Sequence, residues 1–154
     1  MKTPTERFWG YLEPTLKSIE DVVYVQLSDG DRIDRLLADS QSQDVYPGVF
    51  VIRPKYGGIN ENSGTLWHLF HTTAYVLVKA SLSSYEDQDE AYAQAEVIAT
   101  KMSNKIFQDS LESKVYFDFN SYTAEPVEYL TTDAAWGYEI KFKFGLPVND
   151  LYYP

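Results

Sequence analysis

At 154 residues and without cysteine, the chain has the size of one domain and excludes thiolate metal sites, redox pairs, disulfide staples and cysteine nucleophiles. Its net charge is −10, and its lysines and arginines never occur side by side, which disfavours a dedicated binder of phosphate backbones. No apolar run approaches the ~20 residues that a membrane span needs, so no membrane association is expected.

Thr5 to Ile19 places Phe8, Leu12, Leu16 and Ile19 on one helical face, with Thr3 or Thr5 as the cap. Pro14 inside this pattern is expected to kink or end the helix near Glu13. Asp21 to Leu27 reads as a short strand, and Asp31 to Ser40 as a short helix. After Tyr46-Pro47-Gly48, the apolar run Val49 to Arg53 reads as a buried strand closed by Pro54. Lys55 to Thr65 concentrates Gly, Asn and Ser and is expected to be an exposed loop.

Leu66 to Ser81 is rich in aromatic and β-branched residues at both alternating positions, so both faces of a long strand should become covered. Ser84 to Asp109 is the clearest helix. Ser84 is a cap candidate, Glu86, Asp87, Asp89 and Glu90 suit the positive end of the helix dipole, and Ala91, Ala95, Ile98, Met102 and Ile106 form a stripe. Three strands follow, Val115 to Phe119, Pro126 to Leu130 and Gly137 to Phe144, with Pro126 at a strand start or on an edge. The aromatic tail, about Leu146 to Pro154, is expected to be extended. The fold class is therefore α+β: a single domain over 1–154 with a mixed or antiparallel sheet of about five to six strands, packed by one long helix and an N-terminal helix.

No catalytic constellation emerges. His68 and His71, the only histidines, point to opposite faces of a strand, so a shared metal ion is disfavoured. Asp29, Asp31 and Asp34 lack the spacing of a calcium loop, and the acidic run at the long helix is a solvated N-terminus. Phosphate loops, dinucleotide fingerprints and nucleophile elbows are absent. The expectation is a non-enzyme with no cofactor and no metal. Thirteen Tyr and three Trp fit either a Tyr-rich core or surfaces that are wet before assembly and dry after it.

The element order, with YPGVFVIR before the Gly-rich loop, HLFHTTAYVLVKAS after it and SYEDQDEAYAQAEVIATKMSNKIF as the long helix, resembles the tail-terminator (tail-completion) proteins of long-tailed bacteriophages. That resemblance covers most of the chain and implies a structural virion protein. Its copies would form a ring, commonly a hexamer, capping the tail tube at the head-proximal end and joining it to a neck or connector protein. DNA would pass through without specific binding, and assembly would occur in the host cytoplasm. A head-tail connector or neck protein, or a small-ligand or peptide-binding α+β module outside any phage, would read similarly. The implied interface candidates are Tyr56 in the loop, Trp67 on the long strand, Trp136, Glu139, Lys141 and Lys143 on the last strand, and Tyr152 and Tyr153 in the tail. Glu139, Lys141 and Lys143 form a charged row opposite the aromatic face Tyr138 to Phe144.

Overall fold

The computed structural model describes residues 1–28, 45–60, 64–130 and 134–152, with 129 and 130 described by backbone alone. The expected helix over Asp31 to Ser40, the aspartates around Gly30, and Tyr153 lie outside these residues.

Helix α1, Pro4–Lys17, opens with a capping box in which the Thr3 hydroxyl accepts from Glu6 N at 3.1 Å and the Glu6 carboxylate accepts from Thr3 N. The expected break at Pro14 does not occur. Pro14 and Gly10, whose carbonyl loses its helical donor, both face solvent, and Ser18 N donates to the Pro14 carbonyl at 3.0 Å. Burial of Phe8, Leu12 and Leu16 holds the helix down on both sides of the proline.

The sheet order is β1–β2–β4–β6–β5, where β1 is Tyr24–Ser28, β2 Gly48–Ile52, β4 Leu66–Lys79, β5 Tyr116–Leu130 and β6 Ala134–Pro147. Strand β3, Lys55–Asn60, pairs antiparallel with the first half of β4, while β2 pairs with its second half. Only β1 and β2 run parallel among the described pairs, so the six-stranded sheet is mixed, one of the two arrangements the sequence allows.

Three expectations need correction. The first half of the Lys55 to Thr65 loop is a strand, because Gly57 and Gly58 leave the backbone free to pair with Leu69 and His68 while burying almost nothing. The separate strands Val115 to Phe119 and Pro126 to Leu130 are one, β5, interrupted by a bulge in which Phe119 to Tyr122 stand opposite the single Phe142. The Ser121 hydroxyl fills the gap in the ladder by accepting from Lys143 N at 2.8 Å. Finally, the tail is extended only at its start: Leu146 and Pro147 finish β6, but Asn149–Tyr152 close in a helical turn, α3. Pro126 lies on an edge strand, one of its two expected places.

Helix α2, Tyr85–Leu111, is capped by Ser84, whose hydroxyl accepts from Asp87 N at 3.2 Å. Its stripe Ala91, Ala95, Ile98, Met102 and Ile106 is buried, together with Ala99, on the same sheet face as α1. That face presents Phe70, Ala74, Val76 and Val78 from β4 and Trp136, Ile140, Phe142 and Phe144 from β6. The opposite face carries a smaller cluster at one end, built from Tyr46, Phe50, Leu77 and Ala135. The helices are further tied by the Tyr11 hydroxyl donating to Asp109 at 2.7 Å, and Lys101 of α2 pairs with Asp21 at 2.8 Å.

Two backbone features give stability predictions. A Cβ at Gly137 would lie 1.8 Å from the Val76 carbonyl oxygen, so Gly137→Ala forces β6 away from β4. It is expected to cost about 3 kcal/mol in urea unfolding. At the end of α2, Ser113 has φ 60°, with Ser113 N bonded to the Ser110 carbonyl and Lys114 N to the Asp109 carbonyl, the paired bonds of a helix stop that favours glycine. Ser113→Gly is expected to raise stability by about 0.5–1 kcal/mol in the same measurement.

Candidate functional site

With α1 and α2 sealing one sheet face, the surfaces that the described residues leave uncovered are the other face and strand edges. On the open face, strand alternation brings Trp67, Leu69, His71, Thr73 and Tyr75 of β4 beside Glu139, Lys141 and Lys143 of β6. Asp118, Thr123 and Glu125 of β5 lie beyond them. The charged row is partly satisfied within the subunit: the Tyr75 hydroxyl donates to Glu139 at 2.6 Å, and Lys141 sits 3.4 Å from the same carboxylate. Lys143 lies between His71 and Asp118 in the register.

The eight candidates from sequence do not form one site. Tyr56, 43% exposed on β3, lies on the helix-covered side with its ring 5.3 Å from His68 and 5.6 Å from Phe70. Tyr152 meets the same histidine from α3, its hydroxyl 3.0 Å from His68 Nε2. Trp67 is half-buried on the opposite face of β4, its ring 6.4 Å from Tyr116. Trp136 is 2% exposed and belongs to the core, and the close approach at Gly137 is made to β4 of the same chain; neither is available to a partner. Tyr153 is outside the described residues.

The end of the domain around His68 is a built junction. Arg7 of α1 forms a two-pronged ion pair with Asp150 of α3, one arm at 3.1 Å. Asn149 accepts from Leu66 N and donates to the Gly64 carbonyl, each at 2.6 Å. Beside this junction lies a hollow of about 260 Å³ bordered by Gly58, Leu66, Trp67, His68, Val148 and Tyr152. His68 Nδ1 is buried and finds no hydrogen-bond partner among the described residues.

Sequence reasoning missed a second surface. Val97, Thr100, Asn104, Phe107 and Leu111 form another stripe on α2, and Val97, Phe107 and Leu111 are exposed. Their spacing of three, four, three and four was available as a signal, whereas nothing local marks Phe119 of β5, which stands 62% exposed beside them. Among the described residues no three His, Asp or Glu side chains are placed to share a metal ion, and no helix is long and apolar enough to cross a membrane. No protein-family model matches the chain, and no curated protein matches it significantly.

Burial first, and the positive charge of Arg7 second, hold the His68 imidazole below its usual value of 6.5. The folded chain therefore binds this proton less readily than the unfolded chain. Stability attributable to His68 is full above pH 6.5 and is lost as pH falls from there through the lower folded value. The carboxyl of Asp150, held below its usual 3.8 by the hydrogen bond from Arg7, weakens only in a more acidic window. His71 is shifted the same way as His68, by desolvation and then by Lys143 and Lys55. In urea unfolding at about pH 7.5 and about pH 5.5, His68→Gln is expected to lose less stability on acidification than the parent chain. Equal losses would assign the proton uptake to His71.

Proposed function

We propose that this chain is a structural, ring-forming subunit of a long-tailed bacteriophage tail, a terminator that caps the tail tube and meets the neck. The observation that carries the reading is the division of its surface. One sheet face is sealed by helices, while the opposite face and the long β5 edge are left with charged and aromatic side chains suited to subunit contacts. The element order that resembles the terminator family supports it, as does the acidic balance, since a ring around a DNA passage must not grip phosphate. Its partners in this reading are copies of itself, the tube protein and a neck or connector protein, with its place at the head-proximal end of the virion tail. A connector subunit would share these surfaces and would be distinguished by binding the neck but not the tube.

Light scattering of the purified chain, alone and mixed with a tail-tube protein, is expected to show a closed oligomer or a defined complex. A monomer in both samples overturns the reading. The double variant Lys141→Glu/Lys143→Glu alters exposed or half-buried positions and should keep its fold by circular dichroism. It is expected to weaken assembly about tenfold by reversing the row's charge and placing Glu beside Asp118. Unchanged assembly would leave the row as ordinary solvated surface.

A further inference from the structure

We propose that two copies of this chain pair antiparallel through the outer side of α2, in a two-fold contact whose axis crosses the helix at the level of Met102. The contact does not rest on the ring reading. The outer side of α2 lies across the domain from the open sheet face, so the pair can form with or without a ring.

The surface is the exposed stripe of α2, which Ala93 extends by one position beyond Val97. Ala93, Val97, Thr100, Asn104, Phe107 and Leu111 follow at intervals of four, three, four, three and four, the spacing with which one helix packs along another. They turn away from the sheet, since the buried stripe from Ala91 to Ile106 occupies the opposite side of the same helix. Val97, Phe107, Leu111 and neighbouring Phe119 are each between 42% and 64% exposed and together leave roughly 400 Å² of apolar surface, a patch of the size that marks a contact.

The symmetry of the stripe identifies its occupant as a second copy. Its members stand nine, five and two residues to either side of Met102, so an antiparallel copy sets Ala93 against Leu111, Val97 against Phe107 and Thr100 against Asn104. Two of these layers put a small side chain opposite a large one, as closely packed helices need. The third layer is polar. The exposed Thr100 and Asn104 side chains have no hydrogen-bond partner among the described residues, and across the axis the hydroxyl of one copy can bond the amide of the other. A single polar layer in an apolar seam fixes its register.

Charge permits the pairing although the chain is strongly acidic overall. Flanking the stripe, Glu96 accepts from the Tyr138 hydroxyl and Lys101 pairs with Asp21 at 2.8 Å, each inside its own subunit. Near the axis Lys101 approaches its mate, but both bring their aspartates, so the four charges can alternate. At each end Glu90 of one copy comes level with Lys114 of the other, which also pairs with Glu112. On the remaining flank Phe119 borders a hollow of about 410 Å³ with Thr100, Ser103, Asn104 and Phe107, and the hollows of the two copies close on each other across the axis. Such a contact is isologous and stops at two copies. At 1.5 Å per residue the seam is about 28 Å long, near the lower limit of specific interfaces, which implies a weak dimer formed at about 100 µM chain.

The absence of cysteine makes the test direct. Gln94 and Gln108 are exposed beside the seam, about 21 Å apart along one helix, and meet across the axis in the antiparallel register. The double variant Gln94→Cys/Gln108→Cys, treated with a short bismaleimide and read on a denaturing gel, is expected to give covalent dimers and nothing larger, while either single variant gives none. In sedimentation up to about 100 µM, the parent should show a reversible step that doubles its mass. Val97→Glu and Leu111→Glu should each weaken that step about tenfold or more at unchanged thermal midpoint, whereas Lys141→Glu/Lys143→Glu should leave it unchanged. A doubling step that survives both single glutamates, cross-linking by either single cysteine, or a ladder beyond dimers overturns the contact. A parent chain without the doubling step also overturns it, while a complex with the tube protein in the same preparation keeps the ring reading standing.

Discussion

The unbroken antiparallel ladder between β4 and β6, from Trp67 opposite Pro147 to Lys79 opposite Ala135, is the constraint on which the rest of the structure depends. Because side chains alternate along each strand, this one register decides which residues of both long strands share a face. It gathers Phe70, Ala74, Val76, Ile140, Phe142 and Phe144 into one apolar wall. Phe8 of α1 docks on that wall with its ring 5.1 Å from Phe70 and 5.6 Å from Phe144. A slip of one residue would bury Lys141 and Lys143 and expose the phenylalanines, so the ladder and the helix layer enforce each other. Gly137 permits the closeness of the two strands where Val76 crosses it.

Once the wall is taken by α1 and α2, no other described helix packs on the polar half of the alternation. Tyr75 and Lys141 both bond to Glu139 there, and the ion pair, with its lysine exposed, contributes little to folding. That leaves the open face free to be shaped by contacts rather than by stability. The aromatic excess divides on the same line. Phe8, Phe70, Phe142 and Phe144 are core, whereas Phe107, Phe119, Tyr56 and Tyr152 retain substantial exposed surface.

The C-terminal turn brings segments distant in sequence together at one end of the sheet. Asp150 holds Arg7 of α1, Asn149 holds the chain entering β4, and Tyr152 holds His68, against which Tyr56 of β3 also packs. The β3 edge and its hollow are thus supported by residues from both ends of the chain. A proton on His68 would act on this junction and not on the central wall.

The sequence by itself determined the elements whose signal is local. Helix α2, with its Ser84 cap and alanine stripe, follows from intervals of three and four, and β4 and β6 follow from alternation, because burial of one face repeats with the period of the backbone. The α+β class followed from those elements. Only the tertiary structure decided that Lys55 to Asn60 is a strand, since two glycines carry no side-chain pattern and the hydrogen bonds come from β4. It also carried α1 through Pro14, because burial of Phe8, Leu12 and Leu16 outweighs one missing bond, and it joined two short strands across the Phe119 bulge. Trp136 looked like surface from its neighbours in sequence and is core by register, while Phe119 looked like the end of a strand and stands exposed on an edge. Each of these differences has one physical origin: pairing and packing between residues far apart in the chain select which face of a segment is buried, and no local pattern encodes that choice.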